Sequence, residues 1–358
     1  MSKAKQALEK LGKELAAKIL AKQVPVIDIP IRALSNVQYN KKTETLELGN
    51  KKSERNFFHV AHAKKFLQTL EVAAVSKELL EEGKHASLRD MFYMVKRTIP
   101  NTKINIVDDQ IESDSALEDL EVVTNFSREQ LNINANKMGS VAGHVIVEDK
   151  GDEINWAKMG SGGWSIPSNV EEIIFKKVNA KYVIYMEKAA VWERLHEDKF
   201  WEKNNCIIMS SQGQATRGIR RLLQRLSNEH HLPIYVLADF DPWGFYIYSV
   251  LKYGSINLAH MSESMTLASA RFLGIVAEDI ENYGLKKHLI TIKDVDVKRI
   301  KQLQEYEWFK NHKGWQNQFK KMLAFKAKAE IQALSSRGIS FISEKYLPEK
   351  IKKGEYLD

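Results

Sequence analysis

The second half of the chain alternates short apolar runs with helical patterns, and this alternation constrains the fold more than any other feature of the sequence. The runs YVIYME (182–187), CIIMSS (206–211) and IYVLAD (234–239) are short and bounded by polar residues or glycine. Helical patterns separate them at 191–198 and 216–230. Because strands that alternate with helices form parallel sheets covered on both faces, this half predicts an α/β domain.

Carboxylates close two of the three predicted strands. Glu187 ends the first strand, and Asp239 and Asp241 end the third in the string VLADFDPWG. Three carboxylates at one edge of a sheet repel one another unless a divalent cation neutralises them, and all-oxygen ligands favour Mg²⁺. An isolated Asp after a strand is more often a helix cap. A strand-end Glu combined with D-x-D-P-x-G instead favours a magnesium site.

The segment between the second and third strands predicts a helix with one cationic face. In SSQGQATRGIRRLLQRL, Arg217, Arg221 and Arg225 recur every four residues with Arg220 beside them, and the opposite face is apolar. No acidic residue occurs from 215 to 228. This pattern favours contact with phosphate groups. The alternative is a charged face that only meets water.

The earlier segment HASLRDMFYMVKRT predicts a short amphipathic helix. Ser87 and Asp90 have the spacing of a capping box, with Asp in place of the usual Glu or Gln. The predicted buried stripe consists of Leu88, Met91, Phe92 and Val95. Tyr93 lies off this stripe.

The polar side of the same helix places cations around Tyr93. On helical geometry, Arg89, Tyr93 and Arg97 share one face, and Lys96 lies on the neighbouring turn. Cations bind phosphate and favour the phenolate form of tyrosine, whose ordinary pKa is about 10. Such a phenol is suited to attack a phosphodiester. Most tyrosines are packing or surface residues, so the pattern gains weight only together with the acidic residues.

Composition agrees with a folded protein that meets a polyanion. The chain has 54 Lys and Arg against 46 Asp and Glu, a net charge of +8 and a sequence pI of about 9.1. Cys206 is the single cysteine, which excludes an intrachain disulfide and a cysteine-based zinc site. The amphipathic start, 4–22, is neither a secretory signal nor a membrane span. We therefore expect an intracellular protein.

Three segments are predicted along the chain. Residues 1–66 form an N-terminal extension that contains the helix at 4–22 and two short strands around a polar turn. Residues 67–150 combine short helices with a β-ribbon near 144–148, a pattern typical of a winged-helix domain. Residues 151–358 contain the α/β domain and the C-terminal elements.

Together these motifs resemble the A subunit of DNA topoisomerase VI and its relative, the meiotic double-strand-break protein. Many members have two adjacent tyrosines where this chain has Phe92 and Tyr93, and many have a proline where this chain has Ala215. The resemblance covers most of the chain, in RALSNVQYN, LELGNKKSERNF, SLRDMFYMVKRT, GSGGWSIPSNVEEI, YMEKAAVWERL, SQGQATRGIRRLL, VLADFDPWGF and KAEIQALSSRGISFISEKYLPEKI.

The resemblance implies a multi-domain α/β fold, in which a winged-helix (CAP-like) domain is joined to a Toprim domain with a parallel, Rossmann-like sheet. It makes Tyr93 the nucleophile, with Arg89 supporting the transition state. It makes Glu187, Asp239 and Asp241 the ligands of Mg²⁺. From the residues themselves we add Lys96, Arg97, Arg217, Arg220, Arg221 and Arg225 as candidate contacts to DNA.

The implied activity is Mg²⁺-dependent transesterification that cuts and rejoins duplex DNA through a 5′-phosphotyrosyl link. In this family, the tyrosine of one protomer meets the metal of the other in a two-fold dimer. The chain has no G-x-x-x-x-G-K-[ST] string. The resemblance supplies ATP binding through a separate GHKL-type B subunit in an A2B2 assembly. The helix at 4–22 is a candidate contact for that partner, or packs on its own chain. In a prokaryote the location would be the cytoplasm, at the nucleoid.

Other functions remain open at this point. A Toprim nuclease could cut DNA with metal-bound water and use Tyr93 only structurally. A meiotic-type break-forming protein would differ mainly in its partners. A DNA-binding scaffold could retain the fold without catalysis, although a scaffold has no need to hold three carboxylates close together.

Overall fold

The computed structural model describes residues 2–358, which divide into two compact units. The first unit comprises the chain up to Gln38 together with Glu47–Asn136 and Ile256–Met261. The second unit comprises Tyr39–Leu46, Lys137–Ser255 and Ser262–Asp358.

The first unit is mainly helical, and its short strands pair as ribbons. Its second and third strands form a hairpin. The base of this hairpin belongs to the first unit, and its tip, Tyr39–Leu46, belongs to the second. The elements in chain order are α1 (Lys3–Leu20), β1 (Val26–Pro30), β2 (Val37–Asn40), β3 (Thr45–Leu48), β4 (Lys52–Asn56), α2 (Val60–Glu82), β5 (Ala86–Ser87), α3 (Leu88–Val95), α4 (Gln110–Thr124) and β6 (Ile133–Asn134).

The four helices of this unit share one apolar core. The predicted stripe of α1 is divided along its length, because Leu8 and Leu15 are buried on their own chain whereas Ile19 is exposed. The α2 helix ends where Gly83 adopts a left-handed conformation with φ of 64°, a common way for helices to end. Packing on its own chain therefore accounts for most of the apolar stripe of α1.

The second unit contains the predicted α/β domain. Its elements are β7 (Ser140–Ala142), β8 (Val145–Asp149), β9 (Asp152–Asn155), β10 (Trp164–Ser165), β11 (Ile174–Val178), β12 (Val183–Met186), α5 (Ala189–Glu197), α6 (Phe200–Lys203), β13 (Ile207–Ser210), α7 (Arg217–His230), β14 (Ile234–Leu237), α8 (Pro242–Tyr253), α9 (Ser262–Met265), β15 (Arg271–Phe272), α10 (Ala277–Asn282), β16 (Ile290–Thr291), α11 (Asp294–Glu305), α12 (Glu307–Lys310), α13 (Lys313–Phe325), β17 (Ala327–Lys328) and α14 (Leu347–Lys353).

The main sheet has the order β10-β7-β13-β12-β14-β15. Strands β13, β12, β14 and β15 are parallel, and β7 and β10 add an antiparallel edge. Every residue of β12, β13 and β14 is buried, as expected for parallel strands covered on both faces. The parallel α/β domain predicted from the alternating pattern is confirmed.

The ribbon near 144–148 belongs to the second unit, whereas the tyrosine helix, with which we grouped it, belongs to the first. Strand β8 pairs with β9 across the predicted turn and with β11 on its other side. Val145 and Val147 are fully buried. The partner strand β11 lies beyond residue 150, so the local turn pattern could not indicate which unit the ribbon joins.

No helix between residues 2 and 358 has the length and apolarity to cross a membrane.

A buried ion pair holds the C-terminal helix to the second unit. The Lys350 ammonium donates to Asp279 Oδ2 at 2.8 Å and to the Gly274 carbonyl at 3.1 Å. The Tyr346 hydroxyl donates to the same Asp279 oxygen at 2.9 Å. The Lys350 side chain is only 2% exposed, so these partners, and not water, stabilise its buried charge.

We expect Lys350→Met to lower the free energy of unfolding of the second unit by about 3–5 kcal/mol, because it leaves the Asp279 carboxylate buried without its cation. Lys353→Met is the matched control, since Lys353 lies in the same helix with its side chain 57% exposed. The control should change stability by no more than about 0.5 kcal/mol. Urea unfolding of both variants measures the difference, and equal stabilities would contradict the structural role of the pair.

Candidate active site

The sheet brings the predicted carboxylates to one edge. Met186 at the end of β12 is in register with Leu237 at the end of β14. Glu187 follows Met186 directly, and Asp239 follows Leu237 by two residues, so both lie past the carboxyl ends of neighbouring strands. Asp241 is the N-cap residue of α8, which leaves the same edge.

The three carboxylates lie close enough to perturb one another. Burial, together with the negative charges of Asp239 and Asp241, raises the pKa of Glu187 from 4.5 to about 7. Burial is also the largest cause of the raised pKa of Asp239 and of Asp241. Ionising all three carboxylates without a nearby cation is therefore costly.

Asp239 is held through both of its oxygens. Oδ1 accepts a hydrogen bond from the Ile331 backbone N–H at 2.8 Å, and Oδ2 forms an ion pair with the Lys188 ammonium at 2.7 Å. The Lys188 ammonium also lies 3.3 Å from Glu330 Oε2. Sequence reasoning did not identify Lys188 or Glu330, although Lys188 follows Glu187 directly.

Gly244, the glycine of D-x-D-P-x-G, lies where two backbone segments approach each other too closely at this edge for a side chain to fit. Asp241 Oδ1 accepts the Gly244 N–H as a helix cap. A Cβ at Gly244 would lie 2.7 Å from the Asp239 carbonyl oxygen. Asp241 is thus a cap, as the simpler interpretation of the sequence has it, and one of its oxygens is used in this way.

The donor set fits a divalent cation with open coordination positions. Within residues 2–358, no three His, Cys, Asp or Glu side chains are already arranged as a ligand cage. The edge offers oxygen donors only, and their mutual repulsion would be relieved by a cation. Mg²⁺ is usually bound by one or two carboxylates and completed by water and phosphate oxygens.

The tyrosine helix forms as the sequence predicts. The Ser87 hydroxyl accepts the Asp90 N–H at 3.0 Å, and Asp90 Oδ2 accepts the Ser87 N–H at 3.0 Å, which completes the capping box. Met91, Phe92 and Val95 are buried. The apolar stripe thereby turns Tyr93 outward, and its side chain is 59% exposed.

Arg89 is the cation that reaches the phenol. Its Nη2 donates to the Tyr93 hydroxyl oxygen at 3.2 Å, and its guanidinium carbon lies 5.0 Å from the ring centroid. The Gln110 amide oxygen accepts from Nη1 of the same guanidinium at 3.0 Å, which orients it. Sequence spacing could not reveal Gln110, because it lies 21 residues away on α4.

The other two predicted cations do not surround Tyr93. The α3 helix ends at Val95, and Lys96 already has extended backbone, so the predicted helical alignment of Arg97 with Tyr93 is wrong. Arg97 pairs with Glu71, and the Lys96 ammonium lies 5.1 Å from the centroid of the Phe92 ring.

Arg220 is not available to a phosphate backbone. Its side chain points into the protein, where Nε donates to the Met265 carbonyl oxygen at 3.3 Å, and the residue is only 2% exposed. Burial, together with the positive charge of Arg217, lowers the pKa of Arg220 to about 10. Its predicted role in DNA contact is therefore wrong.

Two further arginines of α7 have acidic partners that the sequence window excluded. Arg221 donates to Glu171 Oε2 at 3.0 Å, and Arg225 donates to Glu229 Oε2 at 3.0 Å. Both glutamates lie outside 215–228, so the local absence of acidic residues was misleading. The face is cationic but largely neutralised by its own chain.

Three family models together match most of the chain. The model for the Toprim domain of Spo11 and the topoisomerase 6 A subunit matches residues 182–351. The model described as type IIB DNA topoisomerase matches residues 64–133, and the all-beta domain in the DNA topoisomerase VI alpha subunit matches residues 135–179. The predicted Toprim fold is thereby confirmed.

Curated relatives match the chain over nearly its whole length. A protein of Pyrococcus abyssi, named as the A subunit of type 2 DNA topoisomerase 6, is 43% identical, with 98% of this chain and 94% of the relative covered. Proteins of the same name from Hyperthermus butylicus and Methanocaldococcus jannaschii are 39% and 33% identical, over 97% and 98% of this chain and 94% of each relative. Because these identities extend over nearly all of each protein, the chain belongs to the family of topoisomerase VI A subunits.

Proposed function

We propose that this chain is the DNA-cleaving A subunit of a type IIB topoisomerase, an isomerase that breaks duplex DNA through Tyr93. The observation that carries the proposal is the exposed Tyr93 hydroxyl, which accepts a hydrogen bond from Arg89. Tyr93 is also the single tyrosine in the sequence of the first unit. A phenol turned to solvent and held by an oriented cation is suited to attack phosphate.

In the proposed reaction, the Tyr93 oxygen attacks the phosphorus of a phosphodiester. The new bond joins the tyrosine oxygen to phosphorus, and the bond from phosphorus to the 3′ oxygen breaks. The phenol proton passes to solvent and the departing 3′ oxygen takes a proton from solvent, so the step needs no oxidant or reductant and consumes no water. The Arg89 N–H donates to the phenol oxygen and stabilises the negative charge that develops there during attack. Reversal of the same step reseals the DNA.

We assign the metal site to Glu187, Asp239 and Asp241. A Toprim domain suggests a divalent metal, and the all-oxygen donors support Mg²⁺. When bound, the cation supplies positive charge that orients the phosphate and stabilises the departing oxygen. The carboxylates contribute by holding that charge at the sheet edge, away from bulk water.

The domain boundaries remain proposals. We infer a winged-helix (CAP-like) domain in the 67–150 segment, formed by α2, α3 and α4 with the β5–β6 pair, in which α3 presents Tyr93. The ribbon of β8 and β9 is left out of it, because it belongs to the second unit. Residues 1–66 remain the proposed extension, and residues 151–358 the proposed Toprim domain with its C-terminal elements.

The proposed partners are duplex DNA, a second copy of the chain, and a GHKL-type B subunit that binds ATP in an A2B2 assembly. Of the predicted DNA contacts, we retain Lys96, Arg97, Arg217, Arg221 and Arg225. DNA would have to displace the glutamate partners of Arg97, Arg221 and Arg225. The relatives are named as one lettered component of an enzyme, which supports a further component encoded separately.

An exposed apolar patch supports the N-terminal extension as the contact for the B subunit. The patch consists of Ile19, Leu20, Val24, Phe58 and Val60. The Phe57 N–H donates to the Pro25 carbonyl at 3.2 Å, so the two chain segments of the patch adjoin one another. Exposed apolar patches commonly mark protein interfaces.

We expect Tyr93→Phe to abolish covalent attachment to DNA while leaving folding and DNA binding nearly unchanged, because only an exposed hydroxyl is lost. The measurement traps adducts with detergent after incubation with supercoiled DNA, Mg²⁺, the B partner and ATP. Tyr306→Phe, a partly exposed tyrosine of the second unit, is the control and should retain adducts. Cleavage by Tyr93→Phe without an adduct would favour a nuclease that uses metal-bound water.

Asp239→Asn should eliminate cleavage and leave DNA binding unchanged or slightly stronger, since one negative charge near the DNA backbone disappears. EDTA should have the same effect on the wild type. Cleavage of supercoiled DNA is measured at varied Mg²⁺, with Asp152→Asn, an exposed aspartate of β9, as the control. Full cleavage without metal by either protein would show that the sheet-edge carboxylates are only structural.

Glu187 should make stability depend on pH when no metal is present. Its pKa is raised from 4.5 to about 7, so the folded protein binds this proton more tightly than the unfolded chain. The resulting stabilisation is present below the ordinary pKa and is lost as pH rises through about 7. In EDTA, we expect the Tm to fall between pH 5 and pH 8 more steeply in the wild type than in Glu187→Gln.

Mg²⁺ should restore the Tm of the wild type at pH 8, because it takes the place of the lost proton. Glu193→Gln, which changes an exposed carboxylate on α5, should keep the pH dependence of the wild type. If Glu187→Gln and wild type lose stability in parallel across this pH range, Glu187 does not titrate there.

A further inference from the structure

The Lys188 ammonium bridges two distant parts of the second unit. It contacts Asp239 Oδ2 at 2.7 Å, Gln332 Oε1 at 3.0 Å and Glu330 Oε2 at 3.3 Å. An ammonium group has three N–H donors, and here three acceptors are within reach. One acceptor follows β14, and the other two lie more than 90 positions later in the sequence.

Backbone pairing fixes the later segment at this place. Phe240 and Ala329 exchange two hydrogen bonds of 2.9 and 3.0 Å, and the Ile331 N–H donates to Asp239 Oδ1. Glu330 and Gln332 flank Ile331, so their side chains are carried to the acidic edge by the backbone. The contacts of Lys188 are thus built into the fold rather than formed by a loose surface chain.

The position of Lys188 places it in competition with a metal. Both oxygens of Asp239 are engaged, one by a backbone N–H and the other by Lys188. A divalent cation that binds Oδ2 therefore competes with the ammonium for the negative charge of this carboxylate. Glu330 and Gln332 still offer two acceptors if the ammonium is displaced, so Lys188 can leave Asp239 without losing all its partners.

We propose that Lys188 is the resident counter-cation of the acidic edge, a positioning residue that pairs with Asp239 before metal arrives and then keeps only its contacts with Glu330 and Gln332. This inference rests on the proposed metal site at Glu187, Asp239 and Asp241. Lys188 offsets part of the repulsion among the carboxylates when no metal is bound, and it weakens metal binding in return. Exchange of one cation for another avoids a state in which the edge has no positive charge.

The test uses electron paramagnetic resonance to measure Mn²⁺ binding to the full chain at pH 8, without DNA. Lys188→Met should bind Mn²⁺ roughly tenfold more tightly, because a nearby positive charge and a competitor for Asp239 are both removed. Lys188→Arg, which keeps the charge, should return the affinity toward that of the wild type. Lys321→Met removes a lysine paired with Glu278 and controls for net charge. It should change the affinity less than about twofold.

A second variant predicts the opposite direction. Gln332→Met removes an acceptor that Lys188 needs after displacement, without changing any charge, so Mn²⁺ should bind more weakly. Gln332 is exposed, and the variant should therefore fold normally. Unchanged or weaker Mn²⁺ binding by Lys188→Met would overturn the inference, and so would unchanged binding by Gln332→Met.

Asp239→Asn separates failure of this inference from failure of the proposed function. If Asp239→Asn binds Mn²⁺ as tightly as the wild type, the metal site itself is misplaced. If Asp239→Asn loses binding while Lys188→Met matches the wild type, the metal site stands and only the role of Lys188 fails.

Discussion

Electrostatic repulsion at the carboxyl edge of the parallel sheet is the constraint on which the surrounding structure depends. Glu187 and Asp239 follow neighbouring strands, and Asp241 begins the next helix. Burial is the largest cause of their raised pKa values, and neighbouring carboxylates add to the shift at Glu187 and Asp241, so each charge must be balanced. The balance comes from backbone N–H groups and from Lys188, and the chain is folded so that these donors arrive at the edge. The segment after β17 supplies two of these partners, because the Ile331 N–H donates to Asp239 and Glu330 contacts Lys188.

Local patterns were sufficient to predict much of the fold. The alternating strands and helices, the capping box at Ser87 and the outward position of Tyr93 all follow from spacing within a few residues, and the structure confirms them. The register of β12 and β14 then accounts for the shared edge of Glu187 and Asp239. The helix and strand patterns depend on periodicity, which is visible in a sequence, whereas the pairing of β12 with β14 is known only from the structure.

The features that sequence reasoning missed are contacts between distant segments. Arg220 is buried because its side chain meets the carbonyl of Met265, and Arg221 is neutralised by Glu171. The ribbon of β8 joins the second unit because its other partner is β11. A count of charges within one helix gives no information about such partners. Arginine on a helix face is therefore weak evidence for phosphate contact until the opposing surface is known.

The direction of the hydrogen bond between Arg89 and Tyr93 bears on the return step of the reaction that we propose. A guanidinium can only donate, and the phenol oxygen accepts from it. That oxygen keeps a lone pair after it is esterified, so the same contact can persist in the covalent complex. Arg89 would then polarise the tyrosine–phosphorus bond and assist departure of the phenolate when the 3′ hydroxyl attacks. By microscopic reversibility, one fixed donor serves both cutting and rejoining, and the helix need not rearrange between them.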